Sequence, residues 1–173
     1  MRKHRSARIT NAALGLLEEA GIKRPPVQPE VIARKLGARM LYTDFEDEIS
    51  GVLYRDKGAT IIAVNSLHHP NRQRFTVAHE VGHLVLHHMD THVDKAYRMV
   101  LRDSTSSQAT DPREIEANQF AAELLMPETM VERDAVRLLT DVESQIGLEK
   151  LAKLYRVSPQ AMAFRLANLG IVE

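Results

Sequence analysis

The stretch Phe75 to His88, FTVAHEVGHLVLHH, constrains this chain more than any other. His79 and His83 are four apart, with Glu80 directly after the first. On a helix, residues four apart differ by about 40 degrees around the axis, so both imidazoles face one point and can hold one zinc ion. Glu80 stands about 100 degrees from His79, where a carboxylate flanks a metal and serves as a base toward water. The apolar residues on both sides of the motif suit a buried helix. Gly82 inside it costs about 1 kcal/mol against Ala, which points to a close approach by another element or a ligand. The competing reading is a His-rich amphipathic helix that matches the pattern by chance.

The other histidines fit a metal less well. His87 lies one turn beyond His83, and three ligands at that spacing would span about 12 Å of helix, too far for one ion. The position six residues after His83, where a longer zinc pattern places a third histidine, is Met89. His68, His69, His88 and His92 fall in loops or at element ends. There are no cysteines, which removes disulfides, Cys-zinc sites and thiol nucleophiles. The third ligand is therefore expected to be a carboxylate on another element.

The segment DPREIEANQFAAELLMP reads as a helix, with Asp111 as its cap, Pro112 at its first position and Pro127 at its end. Taking Glu114 as the reference direction, Asn118, Ala121 and Leu125 lie within about 40 degrees of it. Glu116, Gln119 and Glu123 group on the opposite side, which reads as a solvated face. Glu114 thus sits on the apolar stripe, where a metal would offset the cost of a buried charge. Asp111-x-x-Glu114 also matches a capping box, which by itself would account for a glutamate there. Asn118, one turn on, suits a hydrogen bond to the outer nitrogen of a ligand histidine.

The remaining pattern gives a mainly helical α+β chain. A helix is expected over residues 6 to 20 and a short one from Pro29 to Gly37, burying Val31, Ile32 and Leu36. Strands are expected in ARMLYTDF and in SGVLYRDKGATIIAVN, the latter a hairpin turning at Asp56-Lys57-Gly58. Residues 90 to 112 read as a polar loop with a helical turn near Lys95 to Val100. A further helix is expected in PETMVERDAVRLL, and two short ones follow, broken at Val157-Ser158-Pro159. Length suits a single domain, residues 1–173, with an N-terminal helical segment (1–40), a catalytic core (41–140) and C-terminal helices (141–173) that look like helix-turn-helix fragments. At this length no extra sensor or DNA-binding domain is expected.

Lys+Arg and Asp+Glu are both 23, so the formal net charge is +0, which weighs against DNA binding as the main function. The tail nonetheless carries Lys150, Lys153, Arg156 and Arg165. No apolar run is long enough to span a membrane, and the N-terminus reads as a helix rather than a signal peptide, so a cytoplasmic location is expected.

AHEVGHLVLHH followed by EIEANQFAAELLMP resembles the ImmA/IrrE family of metallopeptidases. The likeness runs from Arg74 to Pro127, and the preceding strands and the VSPQAMAFRLANLG tail look similar too. It implies a zincin-like domain with a small, about three-stranded sheet. It also implies Zn2+ held by His79, His83 and Glu114, and Glu80 as general base. The implied activity is endopeptidase cleavage of a helix-turn-helix repressor, releasing a mobile-element, phage or stress programme. The alternative is a non-catalytic module that binds the repressor or DNA and uses zinc only as a brace. An extended substrate is expected beside Thr60 to Val64, and Tyr54, His87, His92 and Tyr97 are the candidates for stabilising an oxyanion.

Overall fold

The computed structural model describes residues 2–45, 49–56, 58–86, 92–95, 111–139 and 145–172, with residues 2–6, 56 and 92–95 defined through their backbone. Seven helices and four strands are formed among the described residues. They are α1 (Arg2–Glu19), α2 (Pro29–Lys35), β1 (Ala38–Thr43), β2 (Ile49–Asp56), β3 (Ala59–Asn65), α3 (Pro70–Val85), β4 (His92–Lys95), α4 (Pro112–Leu125), α5 (Glu128–Leu138), α6 (Gln145–Tyr155) and α7 (Pro159–Asn168). The expected α+β class, mainly helical with a small sheet, is what is found.

Local chemistry sets most boundaries. Gly21, at φ 68°, closes α1 in the left-handed region, and its N–H donates to the Glu18 carbonyl. Proline occupies an opening position of α2, α3, α4 and α7, where no backbone donor is lost. Asp111 accepts from the Arg113 N–H at 2.8 Å to cap α4, and Ser158 accepts from the Ala161 N–H at 3.1 Å to cap α7. Because His69 caps α3 and Pro70 opens it, that helix begins five residues before the apolar stretch that announces it.

The sheet has the order β1-β3-β2-β4. β2 and β3 form the expected antiparallel hairpin, with Asp56 opposite Ala59 and Gly58 at φ 85° in the turn. Lys57 lies outside the described residues. β1 runs parallel to β3, and β4 runs antiparallel to β2. Two expectations change here. β3, which contains Thr60 to Val64, lies between β1 and β2, so it is not an edge. A fourth strand stands at His92–Lys95 where a loop was expected; the rest of that loop, up to Thr110, lies outside the described residues.

One apolar core joins all these layers. Leu53, Ile62 and Val64 from the sheet meet Val77, Ala78 and Val81 of α3 and Phe120, Ala121 and Leu124 of α4. Ile9, Ala13 and Leu17 enter from α1, and Leu151, Tyr155, Met162 and Leu166 from the last two helices. In α2 only part of the expected face goes inward. Ile32 is 1% exposed, while Val31 and Leu36 are each 37% exposed.

The opposite side of α4 is not solvated as its helical phase suggested. Glu116 is 5% exposed and accepts from Arg8 of α1 at 3.2 Å. Glu123 is held by both arms of Arg165 from α7, at 2.9 and 2.7 Å, and the same guanidinium donates to the Met126 carbonyl at 2.9 Å. Arg165 is thereby removed from the basic set of the tail, leaving Lys150, Lys153 and Arg156 on the surface. A bidentate, largely buried pair of this kind is costly to break on one side, because the remaining charge stays out of water. Arg165→Met should therefore destabilise the fold by about 3–5 kcal/mol in urea unfolding, and pairing it with Glu123→Met should recover most of that loss.

Candidate metal centre

The site is assembled from two helices that cross at close range. Gly82 of α3 faces α4, and a Cβ there would stand 3.2 Å from Ala117 Cα, 3.2 Å from the Ala117 carbonyl oxygen and 3.1 Å from Phe120 Cδ1. Backbone is therefore the limiting neighbour, and glycine is what lets the helices approach. This contact accounts for the glycine that the sequence places inside the helix.

His79 and His83 are each 1% exposed, and their Nε2 atoms stand 3.0 Å apart. Glu114 reaches them from α4. One carboxylate oxygen lies 3.2 Å from His79 Nε2 and the other 3.2 Å from His83 Nε2. One ligand atom from each of the three residues falls within 4.8 Å of the others, a group able to hold a metal ion. Glu114 is thus turned toward the imidazoles, and the cap of α4 is made by the Asp111 side chain.

Asn118 completes the arrangement. Its Oδ1 lies 2.7 Å from His79 Nδ1. A carbonyl oxygen accepts, so Nδ1 carries the proton and Nε2 presents its lone pair to the group. Two imidazole nitrogens and one carboxylate form a donor set that fits a divalent cation. A tetrahedral zinc with ligands at about 2.0–2.1 Å would set its donors roughly 3.3 Å apart, near the spacing found here.

The IrrE N-terminal-like domain of peptidase family M78 matches residues 33–167. The chain belongs to the M78 peptidase family. It is also 30% identical over 103 residues to "Uncharacterized immunity region protein 2" of Bacillus phage phi105, a match spanning 60% of this chain and 61% of that relative. A Mycobacterium tuberculosis transcriptional regulator shares the fold, with a TM-score of 0.67 at 18% identity, over 93% of this chain and 46% of that one. The chain therefore spans under two thirds of the relative and under half of the regulator. M78 membership in a metal-dependent peptidase family agrees with the His79, His83 and Glu114 group, and together with the phage immunity-region relative it fits a regulatory protease or a repressor-related role.

Glu80 follows the first ligand-type histidine of this M78 motif and is fully buried, with both carboxylate oxygens withdrawn from solvent. Its neighbour is a residue that sequence reasoning missed. Gly51 of β2 leaves a space in which a Cβ would stand 3.4 Å from Glu80 Oε1, 3.1 Å from the Ala63 carbonyl oxygen and inside contact distance of the Thr76 methyl. A glycine near the start of a strand was the available signal, since it marks a bulge or a close approach. Here it marks both, because the β2–β4 register shifts between Ile49 and Gly51.

Several other candidates stand elsewhere. His69 is used as the α3 cap, accepting from the Asn71 N–H at 3.2 Å, and His68 lies 3.5 Å from the Asn65 amide. Tyr54 is on β2 and 43% exposed, and it is not part of the metal group. His87, His88 and Tyr97 lie outside the described residues, and His92 is defined through its backbone.

Two variants test this geometry. Gly82→Ala gains about 1 kcal/mol of helix propensity but must push α4 from α3, so it should weaken metal binding despite its better intrinsic helix. Competition with a chelating dye measures this, and unchanged affinity would show that the helices yield at no cost to the site. Asn118→Ala should lower metal affinity roughly 10–100-fold by releasing the His79 ring, with little change in the unfolding midpoint of the metal-free protein.

Proposed function

We propose that this chain is a zinc-dependent endopeptidase that cleaves a regulatory protein, a helix-turn-helix repressor, in the cytoplasm, and so acts as an anti-repressor. The observation that carries the reading is the convergence of Glu114 on His79 and His83 from a separate helix, with Glu80 buried beside them. A purely structural site has no use for Glu80 in this position. Two histidines and one glutamate favour zinc over harder cations. M78 membership and the phage immunity-region relative support a peptidase working on gene regulation.

Bound zinc would supply the Lewis acidity that polarises the scissile carbonyl and acidifies a water molecule. Glu80 takes the proton from that water as it attacks the carbonyl carbon. The carboxylic acid so formed then passes the proton to the amide nitrogen as the C–N bond breaks, leaving a free carboxylate and a free amine. Burial of Glu80 against the backbone at Gly51 holds its carboxylate in one place for both transfers. Asn118 fixes the His79 tautomer throughout.

The substrate needs an extended segment at the cleavage point. Among the described residues the sheet edge on this side is β4, whose Asp94 pairs with the same Gly51 that lies against Glu80. A peptide adding to β4 by main-chain pairing would run beside the site, a role that the interior strand β3 is not placed to fill. No helix among the described residues is long and apolar enough to cross a membrane.

The test combines metal analysis with cleavage. Wild-type protein should carry about one zinc per chain, and Glu114→Ala should lose most of it. Glu80→Gln should keep the zinc and abolish fragment formation when incubated with a panel of helix-turn-helix repressors, read by mass spectrometry. Stable repressor binding without fragments by the zinc-loaded wild type would favour the non-catalytic alternative. Equal zinc in wild type and Glu114→Ala would remove Glu114 from the ligand set.

A further inference from the structure

Away from the His79, His83 and Glu114 group, α5, α6 and the segment before α2 border an open cavity of about 400 Å³ lined by Arg24, Pro25, Arg133, Asp134, Arg137 and Leu154. Three arginines and one aspartate line it, in a chain whose 23 basic and 23 acidic residues balance.

The carboxylate is an anchor. Asp134 is 2% exposed, and both of its oxygens are engaged. Arg133 donates from Nε to Oδ1 at 3.0 Å and from Nη2 to Oδ2 at 3.1 Å. The Tyr155 hydroxyl donates to Oδ2 at 2.9 Å from the core side. The hydrogen bond from Arg133 holds the Asp134 carboxyl below its usual range, and burial followed by that carboxylate pushes the Tyr155 phenol far up, so its hydroxyl remains a donor. Arg137, one turn further along α5, places Nη2 at 3.6 Å from Asp134 Oδ1, beyond hydrogen-bond reach. The side chains of Arg133 and Arg137, which line the cavity, keep 53% and 69% exposure. Arg24 is exposed at the same cavity.

One carboxylate against three guanidinium groups leaves an excess of about two positive charges. That matches the roughly −1.5 to −2 carried by a phosphate monoester near neutral pH. Guanidinium forks meet phosphate oxygens two at a time, and a carboxylate that orients such a fork reduces the entropy lost when an anion binds. The cavity is larger than one oxyanion requires and falls within the usual size of small-ligand pockets. Pro25 and Leu154 give it an apolar wall.

We propose that this cavity binds a small phosphate monoester, with the phosphoryl group on Arg24, Arg137 and the outer edge of Arg133 and the organic part against Pro25 and Leu154. The site is separate from the metal centre and does not depend on peptidase activity. Calorimetric titration of the full chain with inorganic phosphate, a hexose phosphate and the unphosphorylated hexose tests it. Saturable binding of a phosphate at a dissociation constant near or below about 1 mM is expected, with none for the bare sugar. Tighter binding of the hexose phosphate assigns an organic phosphate, and equal binding assigns free phosphate. Arg24→Ala with Arg137→Ala should weaken binding at least about tenfold while leaving the ligand-free unfolding midpoint in place, since both side chains are exposed. Absence of saturable binding, or binding that the double substitution leaves unchanged, would overturn the proposal and mark any signal as an adventitious ion only.

Discussion

The contact between Gly82 of α3 and Ala117 of α4 is the constraint on which the candidate metal centre rests. Neither histidine can recruit Glu114 unless the two helix backbones come within van der Waals distance. A side chain at position 82 would hold them apart, and a carboxylate has too little reach to recover the loss. The same approach brings Asn118 to His79, because Asn118 is one turn from Glu114 on the same stripe of α4. A single missing Cβ therefore serves the His79, His83 and Glu114 group and its outer hydrogen bond together.

Such closeness has to be held from behind. α4 carries three glutamates, and each is tied to a different element. Glu114 faces α3, Glu116 takes Arg8 of α1, and Glu123 takes Arg165 of α7. The helix is thus fixed near its start, by its second turn and near its end. Arg165 also binds the Met126 carbonyl, one of the terminal acceptors that a helix leaves without an internal partner. Ion pairs in such positions contribute less net stability than their number suggests, since each charge loses its hydration. Their value here is directional, because only one placement of α4 satisfies all three.

The difference between local and distant partners explains what could be read in the residues. His79, Glu80 and His83 are related by helical spacing alone, so their common direction follows from the period. Gly82 was readable for the same reason, as a deficit on an otherwise apolar helix. Helical phase separated Glu114 from Glu116 and Glu123 correctly, yet it misassigned the second pair to solvent. Phase gives the side of a helix, not what covers it, and Arg8 and Arg165 are 108 and 42 residues away in the chain. The sheet order failed similarly. β1 inserts its pairing on the far side of β3, which turns an apparent edge into the centre, and nothing within Thr60 to Val64 records that.

The C-terminal helices show how one pattern supports two readings. A short helix pair with surface lysines looks like a nucleic-acid module when only its sequence is considered. In the fold, Leu151, Tyr155, Met162 and Leu166 belong to the same core as α3 and α4, and Arg165 is spent on Glu123. Arg156, at φ 54°, makes the turn between them and gives its carbonyl to Arg74 of α3. Burial holds that Arg74 guanidinium below its ordinary value, and it also donates to the Val27 carbonyl at 2.6 Å. α3 is thus linked through one arginine to the turn before α2 and to the turn before α7. The tail helices therefore brace the rear of both helices that form the site, which is a sufficient physical reason for their amphipathic pattern without any nucleic acid.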